Sequence, residues 1–319
     1  TTYFLKLGSL LYQWLFPLAQ LAIFSSVFVG IRYVGWGVAL FIFGLLGTLA
    51  ACYSKEACYS KDVTQRSAMP FPPVTLRQSL KTLRSNKGLR VLLLLTVLQM
   101  AGGAFTASMD YYLLVYFIAE GDIAQGAIFK GWLSMAYAAF GFLTVPLIAR
   151  LSSRLGKIKA LQLIYVVTLV GGACKWFIFT PQGYGWIWLD ALFCTAAWTA
   201  MTMLIPSMMA DLCDEDELKH GQRREGVFVA IHSWVTSLSA ALALLLAGLS
   251  LNLIGFDAQL SVAQNPDSIL AMRVILALGT MVFALCSLLI VRGYHLDAQG
   301  SQQISLALAK TKNHGSESI

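Results

Sequence analysis

Eight apolar segments, each about as long as a membrane-spanning helix, dominate this 319-residue chain. A hydrocarbon core about 30 Å thick is crossed by roughly 20 apolar residues in an α-helix. Only 12% of the residues are charged, about half the roughly 25% that is usual in soluble domains. The sequence therefore predicts an all-α integral membrane protein, with spans at 9–30, 34–53, 90–118, 129–149, 160–179, 184–209, 226–255 and 269–291.

The basic residues predict the orientation of these spans. All but four of the 23 Lys and Arg residues fall in alternate connections or near the two ends of the chain. Cytoplasmic loops are enriched in Lys and Arg, so we expect both termini in the cytoplasm and the chain in a plasma membrane, the inner membrane of a bacterium. The net charge of +7 is then a property of these loops, and no nucleic-acid partner is expected. The four remaining residues are Arg32, Lys130, Lys175 and Arg273.

A polar connection at 54–89 separates two spans from the six that follow. It contains Pro70, Pro72 and Pro73, and eight of the basic residues lie in it or at its end. We expect two helices at 1–53, a central cytoplasmic loop at 54–89, a six-helix bundle at 90–294 and a cytoplasmic tail at 295–319.

A dense group of charges separates the sixth and seventh spans, where residues 208–228 read MMADLCDEDELKHGQRREGVF. A single Asp, Lys or Arg at the centre of a membrane helix costs roughly 2.5–3.5 kcal/mol. This segment is therefore predicted to be a loop in water at the cytoplasmic face. Cys213 is expected in this loop and Cys58 in the central one. The spacing of the six cysteines indicates unpaired thiols and no metal site.

The same segment resembles the loop between helices ten and eleven of the glycoside–pentoside–hexuronide:cation symporters, the melibiose-carrier-like branch of the major facilitator superfamily. The matching residues are Ala210, Asp211, Asp214, Glu217, Gly221, Arg223, Arg224, Glu225 and Gly226. Two weaker resemblances lie in the same register. DYYLLVYFIAEGD at 110–122 is similar to the end of the family's helix seven, and ARLSSRLGKIKAL at 149–161 to its basic loop between helices eight and nine.

This resemblance implies a major facilitator fold in which the chain supplies helices five to twelve of an expected twelve. Residues 1–53 would then hold the last two helices of the N-terminal bundle. The implied function is transport of a small molecule, a sugar, together with Na⁺ or H⁺, without another cofactor and without enzymatic chemistry. Ion pairs among Asp211, Asp214, Glu217, Arg223, Arg224 and Glu225 would close the cytoplasmic gate. The alternative is that these charges are solvated helix ends.

Candidate substrate-binding residues are polar or aromatic groups inside the spans, because an ionisable residue in a membrane span is a functional candidate by default. Asp110 is the strongest, since a carboxylate can accept hydrogen bonds from sugar hydroxyls and neighbouring rings can cover the apolar sugar face. The alternative to substrate binding is that Asp110 is a carboxylate at the membrane–water interface. The full set is Asp110, Tyr111, Tyr112, Trp198, His232, Trp234 and Ser237. Asp190, Lys175 and Arg273 are expected near the outer ends of spans, either paired or facing water.

One departure from the family affects the predicted function. Many members carry a Lys in helix eleven, but residues 226–255 contain neither Lys nor Arg. Two alternatives therefore stay open: a carrier of another substrate such as a lysolipid or an organic acid, or a uniporter. The third alternative, a truncated membrane protein that does not transport, is kept because the sequence has no initiator Met. We expect the glycine pairs at 102–103 and 171–172 to allow close packing of helices.

Overall fold

The computed structural model describes residues 86–221, 224–257, 264–297, 300–304 and 306–308, together with isolated positions between 32 and 52. The residues from 86 onward belong to one compact unit, and those between 32 and 52 belong to a second. The fold below is that of the first unit.

Six helices in the described part of the chain are long and apolar enough to cross a membrane. The described residues contain no strand. Six of the predicted spans and the all-α membrane fold are therefore confirmed. The spans predicted at 9–30 and 34–53 fall on residues that are not described, apart from the isolated positions. The helices are α1 (Lys87–Ile118), α2 (Ile123–Leu155), α3 (Lys157–Ile178), α4 (Trp188–His220), α5 (Glu225–Leu253) and α6 (Pro266–Val291).

Side-chain caps and left-handed glycines fix where these helices begin and end. The carboxylate of Asp122 accepts hydrogen bonds from the first turn of α2, and the side chain of Asn265 caps α6, whose first residue is Pro266. Such caps satisfy backbone N–H groups that the helix leaves free. Gly156 follows α2 with φ of 83° and Gly221 follows α4 with φ of 67°, a region that favours glycine.

Two segments that were predicted to be loops are largely helical, so these two predictions are wrong. The basic loop expected at 149–161 is helical except at Gly156. The charged segment expected as a loop is the last part of α4, and Cys213 lies buried within that helix. At 1.5 Å per residue, α4 is about 50 Å long and exceeds the hydrocarbon core, so its charged end projects beyond the membrane while remaining helical. Cys58 is not among the described residues.

A polar layer interrupts the hydrophobic core of the bundle. One apolar cluster includes Leu92 of α1 and Leu161 of α3, and a second includes Met109 of α1 and Ile178 of α3. Between these positions α1 has a π-helical turn at Leu98–Gly103 and α3 carries buried polar side chains. Turns of this kind within α-helices often lie at functional sites.

Candidate functional site

An ion pair with a buried carboxylate joins α1 to α2. Asp110 is 4% exposed, and both of its carboxylate oxygens accept hydrogen bonds from Lys130 Nζ, at 2.6 and 2.7 Å. The Lys130 side chain is 31% exposed. Asp110 is therefore a buried carboxylate with a partly accessible counter-ion.

The second ion pair joins α3 to α4. Lys175 Nζ lies 2.7 Å from Asp190 Oδ1, and these side chains are 4% and 0% exposed. The hydroxyl of Tyr137 on α2 donates to Asp190 Oδ2 at 2.9 Å. Of the alternatives expected for Asp190 and Lys175, pairing is confirmed. Arg273 is apart from this pair: its guanidinium donates to the carbonyl of Trp176 and stacks on the Trp176 ring.

A cavity of about 40 Å³ lies beside the second pair. Of the predicted substrate residues, only Trp198 lines it. Its lining combines six polar or charged side chains with apolar ones, and a space of this size has room for a few water molecules. The lining residues are Gln99, Gly103, Thr106, Ala107, Tyr137, Thr168, Lys175, Cys194, Ala197, Trp198, Thr280, Phe283 and Ala284.

The predicted residues of α5 do not form one surface. Trp234 is 71% exposed and Ser237 is also exposed. His232 lies two residues before Trp234, on another face of the helix, and is half-buried. Its Nε2 atom is buried and has no hydrogen-bond partner among the described residues. His232 is thus directed into the bundle, and Trp234 away from it.

The tyrosines after Asp110 form an aromatic cluster with the loop that follows α5. Tyr112 and Tyr116 make edge-to-face contacts with Phe256, at ring-centroid distances of 5.3 and 4.9 Å. Tyr111 contacts the edge of Tyr112. This cluster covers the same end of the bundle as Asp110 and Lys130.

At the opposite end, polar side chains from three segments bind acidic residues in the last turns of α4. Asp211 pairs with Lys157 at 2.6 Å, and Glu215 with His295 at 3.2 Å. Asp216, whose side chain is 5% exposed, accepts two hydrogen bonds from the Arg224 guanidinium, at 2.8 and 2.7 Å. We call the residues Lys157, Asp211, Glu215, Asp216, Arg224 and His295 the clamp. The clamp holds the start of α3, the start of α5 and the segment after α6 against α4.

Tyr294 adds a buried hydrogen bond to the clamp. Its hydroxyl donates to the carbonyl of Met208 at 3.0 Å. Burial, together with the nearby carboxylates of Asp211 and Glu215, raises the pKa of this hydroxyl well above its usual value. Tyr294 therefore remains a protonated donor throughout the physiological pH range.

Comparison with known proteins identifies the family. The family model described as "MFS/sugar transport protein" matches residues 1–298. The chain belongs to this family. It is therefore an integral membrane protein, and this membership agrees with the resemblance of residues 208–228.

Several relatives match most of the chain at low identity. It is 21% identical to the uncharacterized symporter YnaJ of Bacillus subtilis over 92% of the chain, and 26% identical to the uncharacterized symporter sll1374 of Synechocystis over 88%. A 29.9 kDa protein from Pseudescherichia vulneris is 28% identical over 66% of the chain and 73% of its own length. The chain spans 60% of the Bacillus relative and 50% of the cyanobacterial one.

The predicted gate residues are only partly those of the clamp. Asp211 and Arg224 belong to it, and Asp214, Glu217 and Glu225 lie close by on α4 and α5. Arg223 is not among the described residues. The residues Lys157, Glu215, Asp216 and His295 were not predicted, and Glu215 and Asp216 are the two most buried acids of the charged segment.

One sequence signal could have identified the interior partners. Lys130, Tyr137 and Thr144 recur every seven residues on α2 and therefore share one face of the helix. Each contacts a polar side chain of another helix: Asp110, Asp190 and Thr199, respectively. A polar stripe of this spacing within an apolar span predicts polar partners on the facing helices.

The paired geometry of the clamp predicts that Arg224→Lys destabilises the protein by about 1 kcal/mol, because lysine keeps the charge but loses one of two charge-assisted hydrogen bonds. Thermal unfolding in detergent measures the effect. Lys219→Gln is the control, since Lys219 is 63% exposed where it pairs with Glu215, and exposed pairs of this kind contribute about 0.5 kcal/mol or less. Equal effects of the two substitutions would contradict the special role of Arg224.

Proposed function

We propose that the complete protein is a secondary transporter that carries a sugar, such as a glycoside, pentoside or hexuronide, together with Na⁺ or H⁺. Transport would proceed by alternating access, with the substrate held near the middle of the membrane between two helical bundles. The observation that carries this proposal is the buried, ion-paired carboxylate of Asp110 in a membrane helix. Family membership and the symporter names of the relatives support it.

Asp110 has the hydrogen-bonding capacity that a sugar needs. A carboxylate offers about four acceptor positions, and Lys130 occupies one on each oxygen. The remaining positions can accept sugar hydroxyls, while Tyr111 and Tyr112 offer aromatic faces next to it. Trp198, His232, Trp234 and Ser237 remain proposed contacts of the substrate along its path.

The clamp gives the charged segment a role in gating. Its described ion pairs all lie within one bundle, so they hold the end of α4 rigidly to its neighbours. We place this end in the cytoplasm, together with both termini, because most basic residues lie there. A rigid bundle end can then dock and undock as one piece, with Asp214, Glu217, Arg223 and Glu225 as the residues that contact the other bundle.

Two other functions have a specific observation behind them. The absence of Lys and Arg from residues 226–255 favours uniport, or a substrate of another class such as a lysolipid or an organic acid.

Uptake into proteoliposomes tests the proposal. A panel of labelled glycosides, pentoses and uronic acids is offered to the complete protein with a Na⁺ gradient, an H⁺ gradient or neither. We expect gradient-stimulated uptake of at least one sugar. Asp110→Asn should weaken apparent affinity about tenfold to a hundredfold, as expected for loss of hydrogen bonds to a charged group worth about 1.5–3 kcal/mol.

The control is Asp122→Asn, which alters an exposed carboxylate near the same end of the bundle. Asparagine also caps helices, so uptake should be unchanged. Absence of uptake of every sugar by well-folded protein would refute the sugar assignment, and uptake indifferent to both gradients would establish uniport.

A further inference from the structure

A buried amide in the cavity beside the Lys175–Asp190 pair has no partner. Gln99 is 9% exposed and lines this cavity, yet no side-chain hydrogen bond joins it to another described residue. It lies in the π-helical turn of α1 at Leu98–Gly103. Its amide offers two N–H donors and a carbonyl acceptor, and leaving such a group buried and unpaired is costly. Gln99 is therefore available to a ligand that enters the cavity.

The Gln99 amide and the Trp198 indole converge on the backbone of Gly103. A Cβ atom at Gly103 would lie 3.1 Å from Gln99 Nε2 and 3.7 Å from Cζ2 of the Trp198 ring. All three residues line the cavity. Its wall therefore combines an unpaired polar group with an aromatic surface, which suits the hydroxyl groups and the C–H groups of a sugar.

The rest of the lining offers both acceptors and donors of hydrogen bonds. The hydroxyls of Thr106, Thr168 and Thr280 each donate to a carbonyl of their own helix, which leaves their oxygens as acceptors. Lys175 Nζ carries three N–H donors, and Asp190 is its single ion-pair partner among the described residues. A hydroxyl group, which both donates and accepts, matches this lining.

The charges around the cavity are already balanced. Lys175 pairs with Asp190, and Lys130 pairs with Asp110. A carboxylate that entered the cavity would be a third negative charge beside two ammonium groups, and burial of a charge without its own partner is expensive. The cavity therefore favours an uncharged hydroxyl group over a carboxylate.

The size and position of the cavity indicate which part of a sugar it takes. Its volume of about 40 Å³ has room for a few water molecules, and so for a hydroxymethyl group but not for a sugar ring. Thr106 on its wall precedes Asp110 by one turn of α1, about 6 Å along the same face of the helix. A ring held at Asp110 can therefore extend a short arm into the cavity.

We propose that the cavity is the subsite for the hydroxymethyl arm of a neutral hexose, and that Gln99 is the residue that selects this arm. The inference rests on the proposed function, with the sugar ring at Asp110, and names its substrate class. A pentose of the same configuration lacks the arm and leaves Gln99 without a partner from the substrate. A hexuronate has a carboxylate in place of the arm.

Matched pairs of sugars test the subsite. The methyl glycosides of glucose and xylose, and those of galactose and arabinose, differ within each pair only in the hydroxymethyl group. Each compound competes with uptake of the labelled sugar that the complete wild-type protein takes into proteoliposomes. The corresponding methyl glucuronide and galacturonide are included. We expect wild type to bind one hexoside about tenfold or more tightly than its pentoside, because a site that hydrogen-bonds a hydroxyl discriminates against the analogue that lacks it.

Gln99→Met removes the amide and keeps a side chain of similar length. This variant should lose about tenfold in apparent affinity for the hexoside, as expected for one or two hydrogen bonds, and keep the wild-type affinity for the pentoside. Gln125→Met is the matched control, since Gln125 is exposed near the start of α2 and the same change there should alter neither affinity.

The pattern across the two sugars separates binding from a structural role. An equal loss for hexoside and pentoside in Gln99→Met would show that Gln99 only supports the fold, and would overturn the inference. If wild type takes up a sugar but binds no hexoside more tightly than its pentoside, or prefers the uronides, the cavity holds water only and the proposed function stands. Absence of uptake of every sugar by folded wild type would refute the proposed function itself.

Discussion

Lys175→Met should be among the most destabilising single substitutions in the bundle, by about 3–5 kcal/mol, because it leaves a buried carboxylate without its counter-charge. Asp190 is fully buried and pairs with Lys175. Met retains most of the volume and flexibility of the lysine stem, so the loss of charge rather than a cavity dominates the effect. Unfolding of the purified protein in detergent by increasing SDS measures it.

Removing the charge of Asp190 as well should recover much of the stability that Lys175→Met loses. Lys175→Met/Asp190→Asn removes both charges and should regain most of the lost stability, since replacing a whole buried pair is often nearly neutral. Asp190→Asn alone should cost less than Lys175→Met, because Lys175 still has Asp110 nearby. If the double variant is no more stable than Lys175→Met, the charge pair is not the source of the effect.

The helices of this fold could be predicted because each depends mainly on the residues of its own segment. In a membrane, twenty successive apolar residues have few alternatives to a helix. Six such segments form α1 to α6. The charged end of α4 could not be assigned by the same rule. Hydropathy places Asp211 to His220 in water, but water does not end a helix. The end comes at Gly221, where the left-handed conformation is available.

The partners in the site are set by the packing of distant segments, which hydropathy does not report. Tyr137 and Asp190 are 53 residues apart, and Lys157 and Asp211 are 54 apart. The family motif drew attention to Asp211 and Arg224 but not to Asp216, which is the residue that Arg224 binds. A motif identifies conspicuous residues, whereas an ion pair also depends on which faces of two helices meet.

The packing role of the glycine pair at 171–172, in contrast, could be predicted from the sequence. The pair at 171–172 was expected to allow close approach of helices, and this is confirmed. A Cβ atom at Gly172 would lie 2.7 Å from the Met281 side chain, 3.1 Å from the Met281 backbone nitrogen and 3.3 Å from the Ala277 carbonyl oxygen. The contact of α3 with α6 is the most extensive between described helices.

Gly172→Leu should therefore destabilise the bundle by about 3 kcal/mol or more, at the upper end of the cost of overpacking. The Met281 side chain can move aside, but the backbone atoms of Met281 and Ala277 belong to α6 and move only with the helix. Gly172→Ala adds the Cβ alone and should cost less. Its cost is offset in part by the better helix propensity of alanine, which is worth about 1 kcal/mol.

Gly248→Leu is the matched control, because a Cβ at Gly248 on α5 meets no atom within 4 Å. There the same substitution should leave stability unchanged or raise it by up to about 1 kcal/mol through helix propensity. Thermal unfolding should rank the proteins as Gly248→Leu, wild type, Gly172→Ala and Gly172→Leu, from most to least stable. If Gly172→Leu unfolds at the wild-type temperature, α3 and α6 do not approach each other as closely as the structure has them.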